Sequence, residues 1–362
     1  MKKATNSPMK YVQGKNELDN LCGYAQGLAK QGAYAVVDAF ILERYGDQIR
    51  QSFEKGAFKL EIAEFGGESS KEEVDRVVAA MKQAGCDVVL GIGGGKTLDT
   101  AKAAGYFFEC PAIIVPTAAS SDAPCSALSV LYHEDGTFDR YLPLRKSPSL
   151  VLLDTAVIAA APVRLLVAGM GDALATYYEA RACAASGAQT NAGGVSSLAA
   201  GALADACRDT LFKDGYKAML AVESGQLSTA VENIIEANTY LSGVGFESGG
   251  LAAAHAVHDG LTVLPETHKM LHGEKVAFGT LTQLVLENAP DEEIAEVLDF
   301  CDSIGLPTTL EALGIKEVTP EKLLPVGEAA CAPEDTMRNM PFTVTPEDVV
   351  SALIVADKLG DL

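Results

Sequence analysis

Short β-branched runs alternate with helical patterns through the first 155 or so residues. Tyr34–Val37, Lys59–Ile62, Asp87–Leu90, Ala112–Val115 and Leu150–Leu153 read as strands. Helical spacing falls between the first four of them, over Ile41–Lys55, Lys71–Ala84 and Thr97–Phe107. This alternation predicts βαβ units and a parallel sheet. Leu128–Tyr132 and Phe138–Tyr141 flank His133-Glu-Asp-Gly136 and read as a β-hairpin, because Asp-Gly suits the tight turn. Beyond Pro162 the pattern changes. Alanine- and leucine-rich segments with helical spacing occupy roughly 163–185, 191–213, 227–246, 272–287, 292–303 and 346–358. The expectation is a two-domain chain: an α/β nucleotide-binding domain over 1–161 with a mostly parallel sheet, then an all-α domain over 162–362. A cleft between them is the expected place for a ligand.

Composition narrows the function. The chain has 362 residues and is 48% hydrophobic, which is ample for a folded core. Lys+Arg 28 against Asp+Glu 49 leaves −21, which argues against nucleic acid as a partner. No apolar run qualifies as a membrane span or signal peptide. Eight scattered cysteines without a Cys-x-x-Cys read as reduced thiols, so the expected location is cytoplasmic.

Two stretches carry candidate chemistry. Gly91-Ile-Gly-Gly-Gly-Lys-Thr97 follows a strand and opens a helix, so its backbone N–H groups could cradle a phosphate. It fits neither the Walker A loop nor G-x-G-x-x-G, and tight strand–helix packing would also explain its glycines. Asp38, just after a strand, is placed either to accept from a ribose diol, favouring NAD over NADP, or to cap a helix. The second stretch is Gly249–Glu274. It holds four of the five histidines: His255 and His258 at i, i+3, and His268 and His272 at i, i+4. Each pair shares a face if its segment is helical, and Gly260 and Pro265 suggest two helical pieces folded back on each other. A catalytic zinc wants three protein ligands and an open position. The third candidate is Asp172, in the small apolar setting GMGDALATYYEA. The alternative is an aspartate satisfied by a helix N-terminus.

Together, GIGGGKTLDTAK (91–102), PTAASSDAPCSALSVLY (116–132), GMGDALATYYEARAC (169–183), NTYLSGVGFESGGLAAAHAVHDGLT (238–262) and HGEKVAFGTLTQLVLENAP (272–290) make a specific set. With them the chain resembles the glycerol dehydrogenases, the zinc-dependent branch of the iron-containing, or group III, alcohol dehydrogenases, which share the dehydroquinate synthase-like fold. The resemblance implies zinc on Asp172, His255 and His272. It implies NAD held by Asp38 at the adenosine ribose and by Gly95, Lys96, Thr97, Leu98 and Asp99 at the pyrophosphate. Thr117 and Ser120 would also touch NAD, with Ser126, Leu128 and Tyr132 nearer the nicotinamide. Asp122 would lie beside the substrate hydroxyls, and His258 is a candidate carrier for the released proton. Iron-type members carry a histidine four residues after the metal aspartate; here that position is Thr176. The implied reaction is NAD-linked oxidation of glycerol or a related vicinal diol at the secondary hydroxyl, giving dihydroxyacetone from glycerol. The implied assembly is a homo-octamer. Two rivals remain: a same-fold enzyme acting on a phosphorylated substrate, and a non-catalytic zinc or nucleotide-binding protein.

Overall fold

The computed structural model describes all residues, Met1–Leu362. The chain divides into two compact units. One comprises 6–119 and 123–161; the other comprises 1–5, 120–122 and 162–362. Two short segments before Pro162 thus group with the helices rather than with the sheet. Lys3 bridges Val195, and Thr5 shares a hydrogen bond with Ser197. Asp122 is bonded to Asp172 and Ser242.

The first unit is built on a six-stranded parallel sheet. Its strands are β1 (Tyr11–Gly14), β2 (Ala33–Val37), β3 (Leu60–Glu64), β4 (Val88–Gly93), β5 (Ala112–Pro116) and, after the hairpin β6 (Leu128–Tyr132) and β7 (Phe138–Pro143), β8 (Leu150–Asp154). The order is β1-β8-β5-β4-β2-β3, and every pairing in it is parallel. The helices are α1 (Leu21–Gln26), α2 (Ala39–Gly56), α3 (Lys71–Ala84), α4 (Gly95–Phe108) and α5 (Thr155–Ala159). Strands β2, β4, β5 and β8 are buried along their whole length. That accounts for their continuous apolar runs, since strands covered on both faces do not alternate. Strand β1 escapes the sequence pattern because its four residues are only half-buried.

The connections run outward in opposite directions from the centre: β2 leads to β3 on one side, and β4 leads to β5 on the other. The point of reversal lies between neighbouring strands β2 and β4. Loops part there at the carboxyl ends of the strands, where open parallel sheets bind ligands. Asp38 and Gly94–Gly95 stand at that point.

The second unit is helical: α6 (Val163–Ser186), α7 (Leu198–Glu223), α8 (Thr229–Glu236), α9 (Ser242–Gly249), α10 (Ala253–Leu261), α11 (His272–Leu286), α12 (Asp291–Ile304), α13 (Pro320–Ala330) and α14 (Pro346–Gly360). Three expectations are corrected. The helix placed at 191–213 begins at Leu198, where Ser197 accepts from the Ala200 N–H, and continues to Glu223. The single segment 227–246 is two α-helices joined by a π-helical turn, Ala237–Leu241. Helix α13 has no counterpart in the periodicity reading, which its Pro320 and Pro325 interrupt. No helix is long and apolar enough to cross a membrane.

Helices α6, α10 and α11 pack at backbone distance. A Cβ on Gly171 would stand 2.4 Å from the Gly273 carbonyl, and one on Gly273 would stand 1.8 Å from the Ala168 carbonyl. On Gly279 it would meet the Ala254 carbonyl at 2.3 Å. Only residues without a Cβ let helices approach this closely. The crossing positions three side chains of the site described next.

Candidate metal centre and nucleotide loop

Asp172 lies nine residues inside α6, more than two turns from its start. The helix dipole fades beyond the first turn, so it does not satisfy this carboxylate. Asp172 is fully buried. Its Oδ2 accepts from the Asp122 backbone N–H at 3.1 Å. Its Oδ1 faces His272 Nε2 at 3.0 Å and His255 Nε2 at 3.4 Å, with no well-formed hydrogen bond to either. The three ligand atoms lie within 4.8 Å of one another.

Proton counting explains the geometry. His255 Nδ1 lies 2.6 Å from Glu179 Oε2. A carboxylate only accepts, so Nδ1 carries the proton and Nε2 of the neutral ring presents a lone pair. His258 Nδ1 lies 2.8 Å from Asp259 Oδ1, and His258 Nε2 lies 2.9 Å from His272 Nδ1. Neutral His258 donates to Asp259 and accepts from His272. His272 then also turns a lone pair at Nε2 toward Asp172. With both rings neutral, two imidazole lone pairs and a carboxylate oxygen converge without a donor among them. Such a set needs a cation, and one carboxylate with two imidazoles suits a divalent metal of the zinc type.

The charge balance agrees. Burial alone would raise the Asp172 carboxyl, but His272 and His255 outweigh it and hold the group well below the usual range. Burial alone would lower His255, but the charges of Glu179 and Asp172 hold it well above its ordinary value. A proton on His255 would stand where a metal's charge would. Burial, followed by the negative charge of Asp172, pushes the neighbouring Asp122 carboxyl well up. Burial and His272 push His258 down to about 3.

Several residues take places other than those expected. His268 does not share a helical face with His272: it is exposed, precedes α11, and its Nε2 bonds the Thr262 carbonyl. His258 has its ring nitrogens engaged by Asp259 and by His272, so it stands behind a candidate ligand rather than beside the cluster itself. Thr176 is buried with its hydroxyl 2.7 Å from that of Ser242, which in turn donates to Asp122 Oδ2 at 2.8 Å. Sequence reasoning missed Glu179, Ser242 and Asp259. Glu179 had a signal: it follows Asp172 by two helical turns on the same face. Its Oε1 also accepts from the Ala252 and His255 backbone N–H groups, at 2.8 and 2.9 Å.

In the sheet unit, the expected cofactor residues gather at the reversal point. Asp38 occupies the cap position of α2, yet its side chain does not cap it. It accepts instead from the Gly94 N–H at 2.7 Å and from the Thr97 hydroxyl. A Cβ on Gly93 would stand 2.3 Å from that carboxylate, and one on Gly91 would stand 2.6 Å from Ala101 Cβ. Gly91 therefore serves helix–strand packing, while Gly93 makes room for Asp38. Gly94, Gly95 and Lys96 are exposed, and the first N–H groups of α4 have no partner within the helix. Lys96 pairs with Glu68 at 2.5 Å and lies over the Tyr132 ring at 4.8 Å. Two expected contacts turn inward. Leu98 is in the core, and the Asp99 carboxylate binds Lys102 at 2.9 Å and the Val130 N–H at 3.2 Å, bracing the hairpin. Thr117 donates its N–H to Gly93, and the Ser126 hydroxyl bonds Ala123. Leu128 and Tyr132 are half-buried on β6. Ser120 groups with the helical unit.

A glycine loop at the reversal point of a parallel sheet and a carboxylate–imidazole cluster that could hold a metal ion are the parts that a metal-dependent, nucleotide-linked oxidoreductase requires. Residues 8–155 match the iron-containing alcohol dehydrogenase family. Over 99% of this chain and 98% of its own length, the glycerol dehydrogenase of Escherichia coli O6:H1 is 55% identical. Two solved structures share the fold. A probable glycerol dehydrogenase from Sinorhizobium meliloti is 44% identical, with a TM-score of 0.93 and 99% of each chain covered. The glycerol dehydrogenase of Schizosaccharomyces pombe is 40% identical, with a TM-score of 0.94 over 99% of this chain and 91% of that one. The chain belongs to the iron-containing alcohol dehydrogenase family, on the branch of the glycerol dehydrogenases.

Proposed function

We propose that this chain oxidises glycerol and related vicinal diols at the secondary hydroxyl, reversibly, with zinc on Asp172, His255 and His272 and NAD at the reversal point of the sheet. The observation that carries the metal reading is the convergence of three acceptor atoms on one point, with Asp172 Oδ1 buried there and without a hydrogen bond. When bound, zinc would polarise an alcohol oxygen and NAD would accept the hydride. The chain's own residues supply position and protons. Glu179 orients His255, and His258 orients His272. The Asp122 N–H holds Asp172, while the Ser242 hydroxyl occupies Asp122 Oδ2, leaving Oδ1 for a polyol hydroxyl. Protonated Asp122 would donate there. In the sheet unit, the Gly95–Thr97 N–H groups hold the pyrophosphate and Asp38 takes the adenosine ribose. Thr117, Ser126, Leu128 and Tyr132 complete the cofactor contacts.

A phosphorylated substrate has less support. Arg164, a candidate basic partner in the first turn of α6, is taken by Glu274 at 2.6 and 2.8 Å. Lys275 is buried, and burial lowers its amine. Seven of the eight cysteines are buried, which fits the reducing cytoplasmic setting of this reading. A homo-octamer remains part of this reading, to be checked by light scattering.

The deciding experiment follows NADH formation from glycerol at mildly alkaline pH. The protein is assayed as purified, after chelation, and after zinc is returned. Activity is expected to vanish with chelator and return with zinc. An active metal-free protein would exclude the metal reading, and glycerol phosphate turned over in preference to glycerol would exclude the substrate. Asp38→Ser tests the cofactor. It is expected to raise the KM for NAD roughly tenfold and to improve use of NADP, since a carboxylate there repels a 2′-phosphate. Unchanged discrimination between the two cofactors would remove Asp38 from the ribose site.

A further inference from the structure

We propose that Asp259 and His258 are positioning residues for His272, a carboxylate–imidazole pair that holds it in the tautomer whose Nε2 faces Asp172 and His255. The inference rests on the metal reading above and concerns how the chain prepares its ligands.

The two histidine ligands are built differently. His255 is mostly enclosed, its side chain 13% exposed, and its Nδ1 lies against the fully buried Glu179. Glu179 is itself fixed by two backbone N–H groups. His272 has none of this. It is the first residue of α11, its side chain is 42% exposed, and no carboxylate touches its Nδ1. Packing alone does not settle which way such a ring faces or which nitrogen carries its proton.

His258 supplies that information from α10. It is buried, with its ring 4.2 Å from that of His272 at 66°. Its Nε2 can accept from His272 Nδ1–H only if its own proton sits on Nδ1, and Asp259 Oδ1 at 2.8 Å holds the proton there. The chain of bonds runs from a part-exposed carboxylate through two imidazoles to the ligand atom. Each link fixes the tautomer of the next. Outer partners of this kind typically contribute roughly 10–100-fold to metal affinity.

The test measures zinc affinity by competition with a chromophoric chelator, together with the visible spectrum of the cobalt-loaded protein. Neither readout depends on turnover. Asp259→Ala and His258→Leu are expected to weaken zinc binding roughly 10–100-fold and to alter the cobalt bands. Asp259→Asn and His258→Gln, which keep an acceptor in reach, are expected to recover most of the loss. His258 is buried, so His258→Leu could fail to fold. The Asp259 side chain is 42% exposed, and Asp259→Ala with a wild-type melting curve then carries the test alone. Wild-type affinity and an unchanged cobalt spectrum in Asp259→Ala would overturn the proposal. Equal losses in Asp259→Ala and Asp259→Asn would also overturn it, by assigning the effect to charge rather than to the hydrogen bond. Wild-type protein that takes up no metal would instead defeat the metal reading itself.

Discussion

Asp172→Asn is expected to abolish metal retention and to reduce turnover roughly 10³-fold, the equivalent of about 4 kcal/mol of transition-state stabilisation from a bound Lewis acid. Asparagine has nearly the same shape, and its carbonyl oxygen can still accept from the Asp122 N–H, so the fold should survive. What it loses is the one negative charge in the set. His255 and His272 face the same oxygen, and neither ring binds a cation well beside a neutral amide. Metal analysis after gel filtration and the initial rate on glycerol check the two halves. A zinc-loaded, active Asp172→Asn protein would sink the ligand assignment. His272→Ala should behave in the same way, because removing any one of three ligands leaves too few.

Gly273→Ala is expected to destabilise the helical unit by about 3 kcal/mol, the upper part of the usual range for overpacking. At roughly 2–4 °C per kcal/mol, that lowers Tm by roughly 6–12 °C. The new Cβ would stand 1.8 Å from the Ala168 carbonyl and 2.9 Å from the Asp172 N–H nitrogen. Both are backbone atoms of α6, so no side chain can rotate away. The helices must separate, and His272 moves away from Asp172 with them. Zinc affinity should therefore fall together with Tm. A thermal melt followed by chelator competition reads both. An unchanged Tm with full metal retention would show that the crossing tolerates a methyl group and is not what aligns the ligands.

The two kinds of architecture and the chemistry on offer are legible in the chain without its packing. Strands β2, β4, β5 and β8 are apolar from end to end because both faces are covered. That pattern is local, and it is visible at Tyr34–Val37 and Ala112–Val115 without any structure. The glycine loop and the histidine-rich stretch were legible for the same reason, since each is a run of neighbours in the chain. What lies far apart in the chain was not. Asp172, His255 and His272 could be named as candidates, but only the glycine-to-backbone crossings of α6, α10 and α11 bring them to one point. Helical spacing paired His268 with His272. The break in the chain before α11 separates them and gives His258 to His272 instead. Ser120–Asp122 shows the same limit: its sequence neighbours are sheet residues, yet the hydrogen bonds of Asp122 go to Asp172 and Ser242. Asp99 reads as a phosphate-loop residue until Lys102 and Val130 claim its carboxylate. Periodicity reports which face of an element is buried. Which atom a buried polar group meets there can depend on partners 31 or 120 positions away in the chain, and tertiary packing decides it.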